Sequence, residues 1–249
     1  MRRPIHRFTP SLIVFAREPA IGRTKTRLAC RIGARNAAAL TEAFNCDALA
    51  KVCQLRLPIV LAGSAASPVH TNRYFRLLAR RFAATLVDQG QGHLGQRMAR
   101  VMAPFVSSGV VLIGTDIPSL PTSAIQQAVS LLDRNSVVLG PTLDGGYYLV
   151  GVNGNLPDMF RAVRWGGPRV LRETVARLAR FGIQPAYAPT WYDVDTWDDL
   201  LLLSEHLRRM DRSETARCPA TAKVLMQLGL LPRRPLDYRQ GQLNESSGT

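Results

Sequence analysis

A basic segment follows the first apolar run of the sequence and carries residues that could bind an anion. Residues 15–28 read FAREPAIGRTKTRL, with one glycine and the cations Arg17, Arg23, Lys25 and Arg27. The preceding run, SLIVFA, predicts a buried strand. Ligands of open α/β sheets bind beyond the carboxyl ends of strands, where glycine-containing loops present backbone N–H groups to phosphate. The segment therefore predicts a phosphate-binding loop after the first strand.

The spacing of the cations indicates how such a loop would work. Arg23, Lys25 and Arg27 lie two residues apart, so an extended segment would point all three side chains to one side. Gly22 and the position of the segment after a strand favour an extended conformation, and the glycine also lets the backbone approach a ligand closely. Arg17, beside Glu18, is expected to be a spectator. In the alternative reading the cations form a solvated basic face, and each contributes little.

Aspartates after other predicted elements could bind a divalent cation. VVLIGTDIPSL places Asp116 at the end of a buried strand, and YDVDTWDDL places Asp193 and Asp195 before a helix. Hard carboxylate oxygens suit Mg²⁺ or Mn²⁺. In the alternative reading Asp116 caps a turn, and the other two interact with the helix dipole. Thr196 is a predicted N-cap, with Asp199 at the capping-box spacing.

A glycine turn forms a further motif, GPTLDGGYYLVG. Asp144, Gly145 and Gly146 are expected to make a tight turn into a strand opened by Tyr147. An Asp-Gly pair alone is an ordinary hairpin signal. The phosphate-loop pattern GxxxxGK[ST] and the dinucleotide pattern GxGxxG are both absent from the sequence. Their absence argues against a P-loop ATPase and against a dinucleotide-binding dehydrogenase.

The elements that must position these residues alternate along the chain, which predicts an α/β fold with a mainly parallel sheet and helices on both faces. The 249 residues, 46% of them hydrophobic, are enough for one sizeable core. Strands are predicted at residues 11–16, 57–63, 84–88, 110–114, 136–140, 147–152 and 184–188. Helices are predicted at residues 34–52, 72–82, 94–105, 122–133, 168–181, 197–209 and 221–230.

Charge and cysteine content limit the possible partners. The formal net charge of +14 raises the hypothesis of nucleic-acid binding, but the arginines are spread over nearly every segment without a recognition motif, so nucleic acid is not the expected partner. The four cysteines form no CxxC pair, and we expect buried free thiols. No apolar run is long enough to cross a bilayer, which favours a cytoplasmic protein.

Five motifs, in order and spacing, resemble a bacterial family of transferases with the glycosyltransferase A (GT-A), or nucleotide-diphospho-sugar transferase, fold, often labelled selenodomain-associated transferases. The motifs are FAREPAIGRTKTRL, QGQGHLGQRM, LIGTDIPSL, LGPTLDGGYYLVG and DVDTWDDL, and the resemblance covers about residues 10–205. It implies a Rossmann-like sheet that binds a nucleotide at its carboxyl edge. The wider superfamily includes nucleotidyltransferases and glycosyltransferases.

The resemblance also implies roles for individual residues. The aspartate after the fourth main strand binds the metal, here Asp116, and a second metal carboxylate maps to Asp195, with Asp193 as the alternative. A catalytic role is implied for Lys25, Arg27 and Asp116. The acceptor side maps to Asp144, Gly145, Gly146 and Tyr147. The nucleotide phosphates and adjoining groups map to Ala16, Gly22, Arg23, Lys25, Thr26, Arg27, Gly114 and Thr115.

Two departures from the family pattern fall in loops on the expected acceptor side. His93 stands where the family pattern G-D-L-G has aspartate, and Gly166 and Gly167 follow Trp165 where the family has Trp-Ser-Thr. They indicate altered specificity or lost activity. Residues 1–10 are predicted to be a tail, 11–210 a GT-A-like transferase domain, and 211–249 a basic appendage whose end, RQGQLNESSGT, is disordered.

The leading functional hypothesis is a transferase that uses Mg²⁺ or Mn²⁺, a nucleoside triphosphate or nucleotide-sugar, and a small-molecule acceptor. The basic loop favours nucleotidyl over glycosyl transfer, because pyrophosphate leaves as a highly charged group. The Asp-x-Asp triplet common in GT-A glycosyltransferases is also absent after the fourth main strand, where the sequence reads GTDIP. The alternative is a non-catalytic protein that binds nucleotides or nucleic acid. Asp116→Ala is expected to abolish metal-dependent nucleotide binding with little loss of stability.

Overall fold

The computed structural model describes residues 8–210 and 218–232, in which seven strands form one mixed sheet. The strand order is β3-β2-β1-β4-β6-β5-β7. Only β6 runs antiparallel to its neighbours, β4 and β5, within this sheet. The predicted α/β class and mainly parallel sheet are confirmed. The strands are β1 (Ser11–Arg17), β2 (Ile59–Ser64), β3 (Thr85–Asp88), β4 (Val110–Gly114), β5 (Val137–Pro141), β6 (Tyr147–Val152) and β7 (Ala186–Tyr187).

Eight α-helices lie among the described residues, and seven of them match predicted helices within a few residues. The exception is α1, which begins at Thr26 inside the segment that was expected to be extended, so that expectation is wrong. The predicted helix 94–105 ends at Met102, where a 3₁₀ helix, Ala103–Ser108, takes over with a proline near its start. The helices are α1 (Thr26–Ile32), α2 (Ala34–Cys53), α3 (Arg73–Arg81), α4 (Leu94–Met102), α5 (Thr122–Leu132), α6 (Val170–Ala179), α7 (Trp197–Arg209) and α8 (Pro219–Gln227).

The hydrophobic core has one cluster on each face of the sheet and a third cluster beside it. Alternate residues of β1 serve the two faces, since Leu12 and Val14 belong to one cluster and Ile13 to the other. The third cluster joins α1, α2, α7 and α8, and it includes Leu28, Phe44, Val194, Leu203 and Leu225. Within residues 8–210 and 218–232, no helix combines the length and apolar character needed to cross a membrane.

Helix α8 is fastened to α2 by one buried carboxylate. Asp47 accepts hydrogen bonds from the backbone N–H of Ala220 (3.1 Å) and of Thr221 (2.8 Å), and from the Thr221 hydroxyl (2.6 Å). Asp47 thus satisfies amide groups that the first turn of a helix leaves unpaired. Part of the predicted appendage therefore packs on α2. The predicted tail, the predicted disordered end and residues 211–217 lie largely outside the described residues, so the domain division stays a prediction.

Replacing Asp47 should loosen α8. Asp47→Ala leaves the N–H groups of Ala220 and Thr221 without their acceptor, and we expect the free energy of unfolding to fall by about 2 kcal/mol. Urea denaturation measures this. Glu42→Ala is the control, because Glu42 is an exposed acid on the same helix, and it should change stability by no more than about 0.5 kcal/mol. Equal, small losses in the two variants would show that Asp47 does not hold α8.

Candidate functional site

A cleft of about 560 Å³ opens at the carboxyl ends of β1 and β4 and gathers the predicted site residues. The loop after β1, the end of β4, the glycine turn before β6 and the segment before α7 all contribute to its wall. Of the residues predicted for nucleotide, metal and acceptor, all line the cleft except Gly22 and Gly145. The structure thus brings together motifs that are far apart in the sequence. The functional roles assigned to these residues stay predictions.

The ammonium group of Lys25 lies at the meeting point of three of these segments. Its Nζ is 2.6 Å from Oδ1 of Asp116 and 3.3 Å from Oδ1 of Asp195, and it donates to the carbonyl oxygen of Val194 at 2.6 Å. The Phe44 ring lies 4.9 Å away, within cation–π range. An ammonium group has three N–H donors. Lys25 therefore has one oxygen acceptor for each of them.

The turn before α1 explains why Lys25 enters the protein while its neighbours stay outside. Arg23 N–H and the Thr24 hydroxyl both donate to the carbonyl oxygen of Ala20, which closes a turn through Gly22 at φ 76°. Lys25 then takes the left-handed conformation, with φ 44°, as the N-cap of α1. Its side chain is only 6% exposed. The side chains of the three cations consequently do not all point to one side. The prediction made for an extended segment is therefore wrong.

The two arginines of the loop remain exposed and line the cleft. Arg23 lies in the turn and Arg27 in the first turn of α1. They are available to an anion in the cleft. Their exposure means that each would interact weakly unless a bound ligand excludes water.

Backbone hydrogen bonds join the segments that carry Asp116 and Asp195. The N–H of Val194 donates to the carbonyl oxygen of Asp116 at 2.8 Å, which ties the segment before α7 to the end of β4. Asp199 accepts from the N–H groups of Asp195 and Thr196, and the Thr196 hydroxyl accepts from Asp199 N–H. The predicted capping box at Thr196 is confirmed. It fixes the residue that presents the Asp195 carboxylate.

Neighbouring charges shift the pKa values of these groups. Burial lowers the pKa of Lys25, but the attraction of Asp116 and Asp195 outweighs it and leaves that pKa raised. Burial, followed by repulsion from Asp116, raises the pKa of Asp195. Burial, followed by repulsion from Asp144, raises the pKa of Asp193 to about 6. The carboxylates of this wall are therefore crowded enough to favour a bound cation.

The donor set fits a divalent cation only with help from a ligand. Asp116 and Asp195 meet at one cation position, but no group of three His, Cys, Asp or Glu side chains within residues 8–210 and 218–232 is arranged to hold a metal ion. Mg²⁺ is commonly bound by one or two carboxylates together with substrate phosphates and water. Two carboxylates thus suffice when phosphate completes the coordination.

The glycine turn on the predicted acceptor side has a fixed shape. Asp144 Oδ1 accepts from Gly146 N–H at 2.9 Å, and Leu171 N–H of α6 donates to the carbonyl oxygen of Gly145 at 2.9 Å. Gly145 has φ 89°, and a Cβ there would lie 2.1 Å from the carbonyl oxygen of Pro168. Tyr147 packs edge-on against Trp165 at 6.3 Å between ring centroids. Glycine is required at 145 because the backbone of Pro168, just before α6, approaches so closely.

The two departures from the family pattern occupy defined places. His93 is the N-cap of α4: its Nδ1 accepts from Gln96 N–H, and Gln96 Oε1 accepts from His93 N–H. The histidine therefore performs the capping role for which aspartate is also suited. Gly166, at φ 83°, and Gly167 line the cleft. Without Cβ atoms they leave this part of the wall more open than serine and threonine would.

Two cleft residues had no role in the sequence-based prediction. Gln89 is buried and donates from Nε2 to the carbonyl oxygens of Ala16 and Ala62, at the ends of β1 and β2. Its Oε1 accepts from the Arg97 guanidinium, which lies 5.3 Å from the Phe15 ring. Burial, followed by repulsion from neighbouring arginines, lowers the pKa of Arg97. The motif QGQGHLGQRM contained both residues, but the spacing gave no sign of this contact.

Comparison with known proteins agrees with the fold and the resemblance. The sequence pattern of a family of uncharacterised proteins conserved in bacteria, DUF2064, matches residues 45–167. A candidate nucleotide-diphospho-sugar transferase from Desulfovibrio desulfuricans G20 has a similar structure, with a TM-score of 0.78 and 28% identity over 89% of this chain and 96% of that one. Among curated proteins, none matches the chain.

Two more distant structures share the fold. The 4-diphosphocytidyl-2C-methyl-D-erythritol synthase of Anaerococcus prevotii DSM 20548 is 11% identical, with a TM-score of 0.55 over 81% of this chain and 96% of that one. A cytidylyltransferase of Leptospira borgpetersenii serovar Hardjo-bovis is 13% identical, with a TM-score of 0.53 over 93% of this chain and 99% of that one. These two structures show the fold alone, whereas the Desulfovibrio structure confirms the predicted resemblance to bacterial GT-A-type transferases and the prediction of a transferase.

The raised pKa of Asp193 predicts that this residue destabilises the metal-free protein increasingly as pH rises. A carboxyl whose pKa rises on folding binds more protons in the folded state, so its contribution to stability falls as pH rises from about 4 to about 6. Asp193→Asn removes this cost. We expect the variant to gain stability relative to wild type as pH is raised from 4 to 7, measured by thermal unfolding with a chelator present. A stability difference independent of pH would contradict the shift.

Proposed function

We propose that the protein is a divalent-metal-dependent transferase that uses a nucleotide substrate. One observation supports this proposal: a pair of carboxylates and the cations of the first loop line the same cleft, at the ends of β1 and β4. A nucleotide diphosphate needs both, because its phosphates are neutralised by direct cations and by a metal ion. A solvated basic face would lack the carboxylates.

In this proposal the chain's residues divide into a phosphate side and a metal side. Arg23 and Arg27 bind the phosphates, with backbone support from the end of β1 at Ala16 and the end of β4 at Gly114 and Thr115. Asp116 and Asp195 hold Mg²⁺ or Mn²⁺. The metal ion, when bound, would neutralise charge that develops on the phosphate oxygens. The protein's own work is then positioning rather than nucleophilic attack.

The acceptor would approach from the side of the glycine turn. Asp144, Gly146 and Tyr147 line this part of the cleft, beside Gly166 and Gly167. In nucleotidyl transfer an acceptor oxygen attacks the α-phosphorus and pyrophosphate leaves. In glycosyl transfer an acceptor attacks the anomeric carbon and a nucleoside diphosphate leaves. We favour nucleotidyl transfer, because the loop offers two exposed arginines to a departing pyrophosphate and the segment after β4 has a single aspartate.

A ligand screen distinguishes these possibilities from each other and from a binding protein. Nucleoside triphosphates and nucleotide-sugars are tested by thermal shift with and without Mn²⁺, and positive ligands are then incubated with pools of phosphorylated and hydroxylated acceptors. Release of pyrophosphate supports nucleotidyl transfer, and release of nucleoside diphosphate supports glycosyl transfer. Affinity only for nucleic acid, falling steeply with salt and independent of Mn²⁺, would overturn the proposal.

Asp116→Asn tests the metal side. The variant keeps an acceptor for Lys25 but loses a metal-binding charge, so we expect Mn²⁺-dependent nucleotide affinity to fall at least about tenfold. The exposed Asp133→Asn is the control. Calorimetry with and without Mn²⁺ measures both variants. Unchanged affinity in Asp116→Asn would remove Asp116 from the metal site.

The structure alters the stability expected for the alanine variant. Asp116→Ala was expected to cost little, because a metal ligand at a strand end has few packing partners. Asp116 instead pairs with the buried Lys25, and its loss would leave that ammonium with one carboxylate and one carbonyl. We therefore expect Asp116→Ala to lower the melting temperature as well, which makes the asparagine variant the cleaner test.

A further inference from the structure

The surroundings of Lys25 do not suit a residue that reaches out to bind phosphate. Every N–H of its ammonium group already has an oxygen acceptor in Asp116, Asp195 or Val194. The side chain is 6% exposed and passes over the face of Phe44 in the third core cluster. A phosphate oxygen could be bound only by giving up one of these acceptors.

The two carboxylates differ from Lys25 in how much of their surface faces the cleft. The Asp116 side chain is 49% exposed and the Asp195 side chain 48% exposed, whereas both use Oδ1 to contact Lys25. The ammonium group therefore lies on the buried side of the pair. The carboxylate surface that remains free faces solvent and any ligand in the cleft.

The backbone at Lys25 adds a second observation. A left-handed conformation is unfavourable for a residue with a side chain, and it persists only where the surrounding structure holds it. Here the conformation turns the chain into α1 and sends the lysine side chain into the protein. The fold thus sustains local strain at the one loop cation that contacts both aspartates.

We propose that Lys25 is a built-in cation, a positioning residue that holds Asp116 and Asp195 together from the buried side and does not bind the nucleotide. This inference rests on the proposed function for the identity of metal and nucleotide. It revises the catalytic role that the family resemblance implied for Lys25. Lys25 already fills the position between the two carboxylates on their buried side, so the site takes one divalent cation on the cleft side. Arg23 and Arg27 bind the phosphates.

The chain offers a direct test on the wild-type protein, because it has only three lysines. Lys51 is buried and donates to the carbonyl oxygen of Pro118, and Lys223 is exposed. Acetylation by acetic anhydride is followed by mass spectrometry, with and without saturating MgCl₂. We expect modification of Lys223 and protection of both Lys25 and Lys51 in either condition. Exposure of Lys25 by Mg²⁺ alone, with Lys51 still protected, would show that metal displaces the lysine and would overturn the proposal.

A variant tests the same proposal through the metal. Lys25→Met removes a unit charge a few ångströms from the cation position, so we expect the affinity for Mn²⁺ alone to rise about tenfold. Arg23→Met is the matched control, since Arg23 belongs to the same loop and has no contact with either aspartate among the described ion pairs. Titration with Mn²⁺, followed by electron paramagnetic resonance, measures affinity and stoichiometry without nucleotide.

The two variants also separate this proposal from a phosphate-binding role. If Lys25 binds phosphate, Lys25→Met should weaken the binding of the Mn²⁺-nucleotide complex as much as Arg23→Met does. That result would overturn the built-in cation. Absence of any nucleotide binding by the wild-type protein would instead contradict the proposed function. The Mn²⁺ titration of Lys25→Met contains no nucleotide, so it would still test the position of Lys25 beside the metal.

Discussion

The buried ammonium group of Lys25 is the contact on which the geometry of the cleft depends. A charge taken out of water is tolerated only where oxygen atoms replace its hydration. Two segments supply those three atoms: the end of β4 through Asp116, and the segment before α7 through Val194 and Asp195. Satisfying one lysine thus requires that α1, β4 and α7 keep fixed positions relative to one another. The carboxylates are held together as a consequence.

The third core cluster supports this contact from behind. Leu28 follows Lys25 in the first turn of α1, and Phe44 of α2 lies beneath the ammonium group. Val194 lies directly before Asp195, in the segment that leads into α7. These apolar residues are buried together with Leu225 of α8. Packing that looks remote from the cleft therefore sets where its charges lie. Helix α8 belongs to this support, because Asp47 fastens its first turn to α2.

Much of the fold could be predicted from the sequence, because apolar runs and helical spacing are local signals. Each of the seven predicted strands is present, and the Thr196 capping box was visible as a three-residue spacing. Helix α1 was missed because it has only seven residues and begins within a segment whose glycine and cations are typical of a loop. Lys25 was expected to point outward with Arg23 and Arg27, since its carboxylate partner Asp195 lies 170 residues away. Only the topology brings that partner within reach.

The cleft has an uneven distribution of charge across β1, and this limits what can occupy it. On the β2 side, Gln89 holds the Arg97 guanidinium over Phe15, next to the ends of β1 and β2. On the β4 side, about half of the side-chain surface of Asp116 and Asp195 stays exposed, although the ammonium group of Lys25 already contacts both carboxylates. Asp116 and Asp195 would repel a simple anion, and Arg97 would repel a simple cation. A phosphate-bearing ligand that brings its own metal ion satisfies both walls at once, which is why the arrangement suits a metal–nucleotide complex better than a polyanion such as nucleic acid.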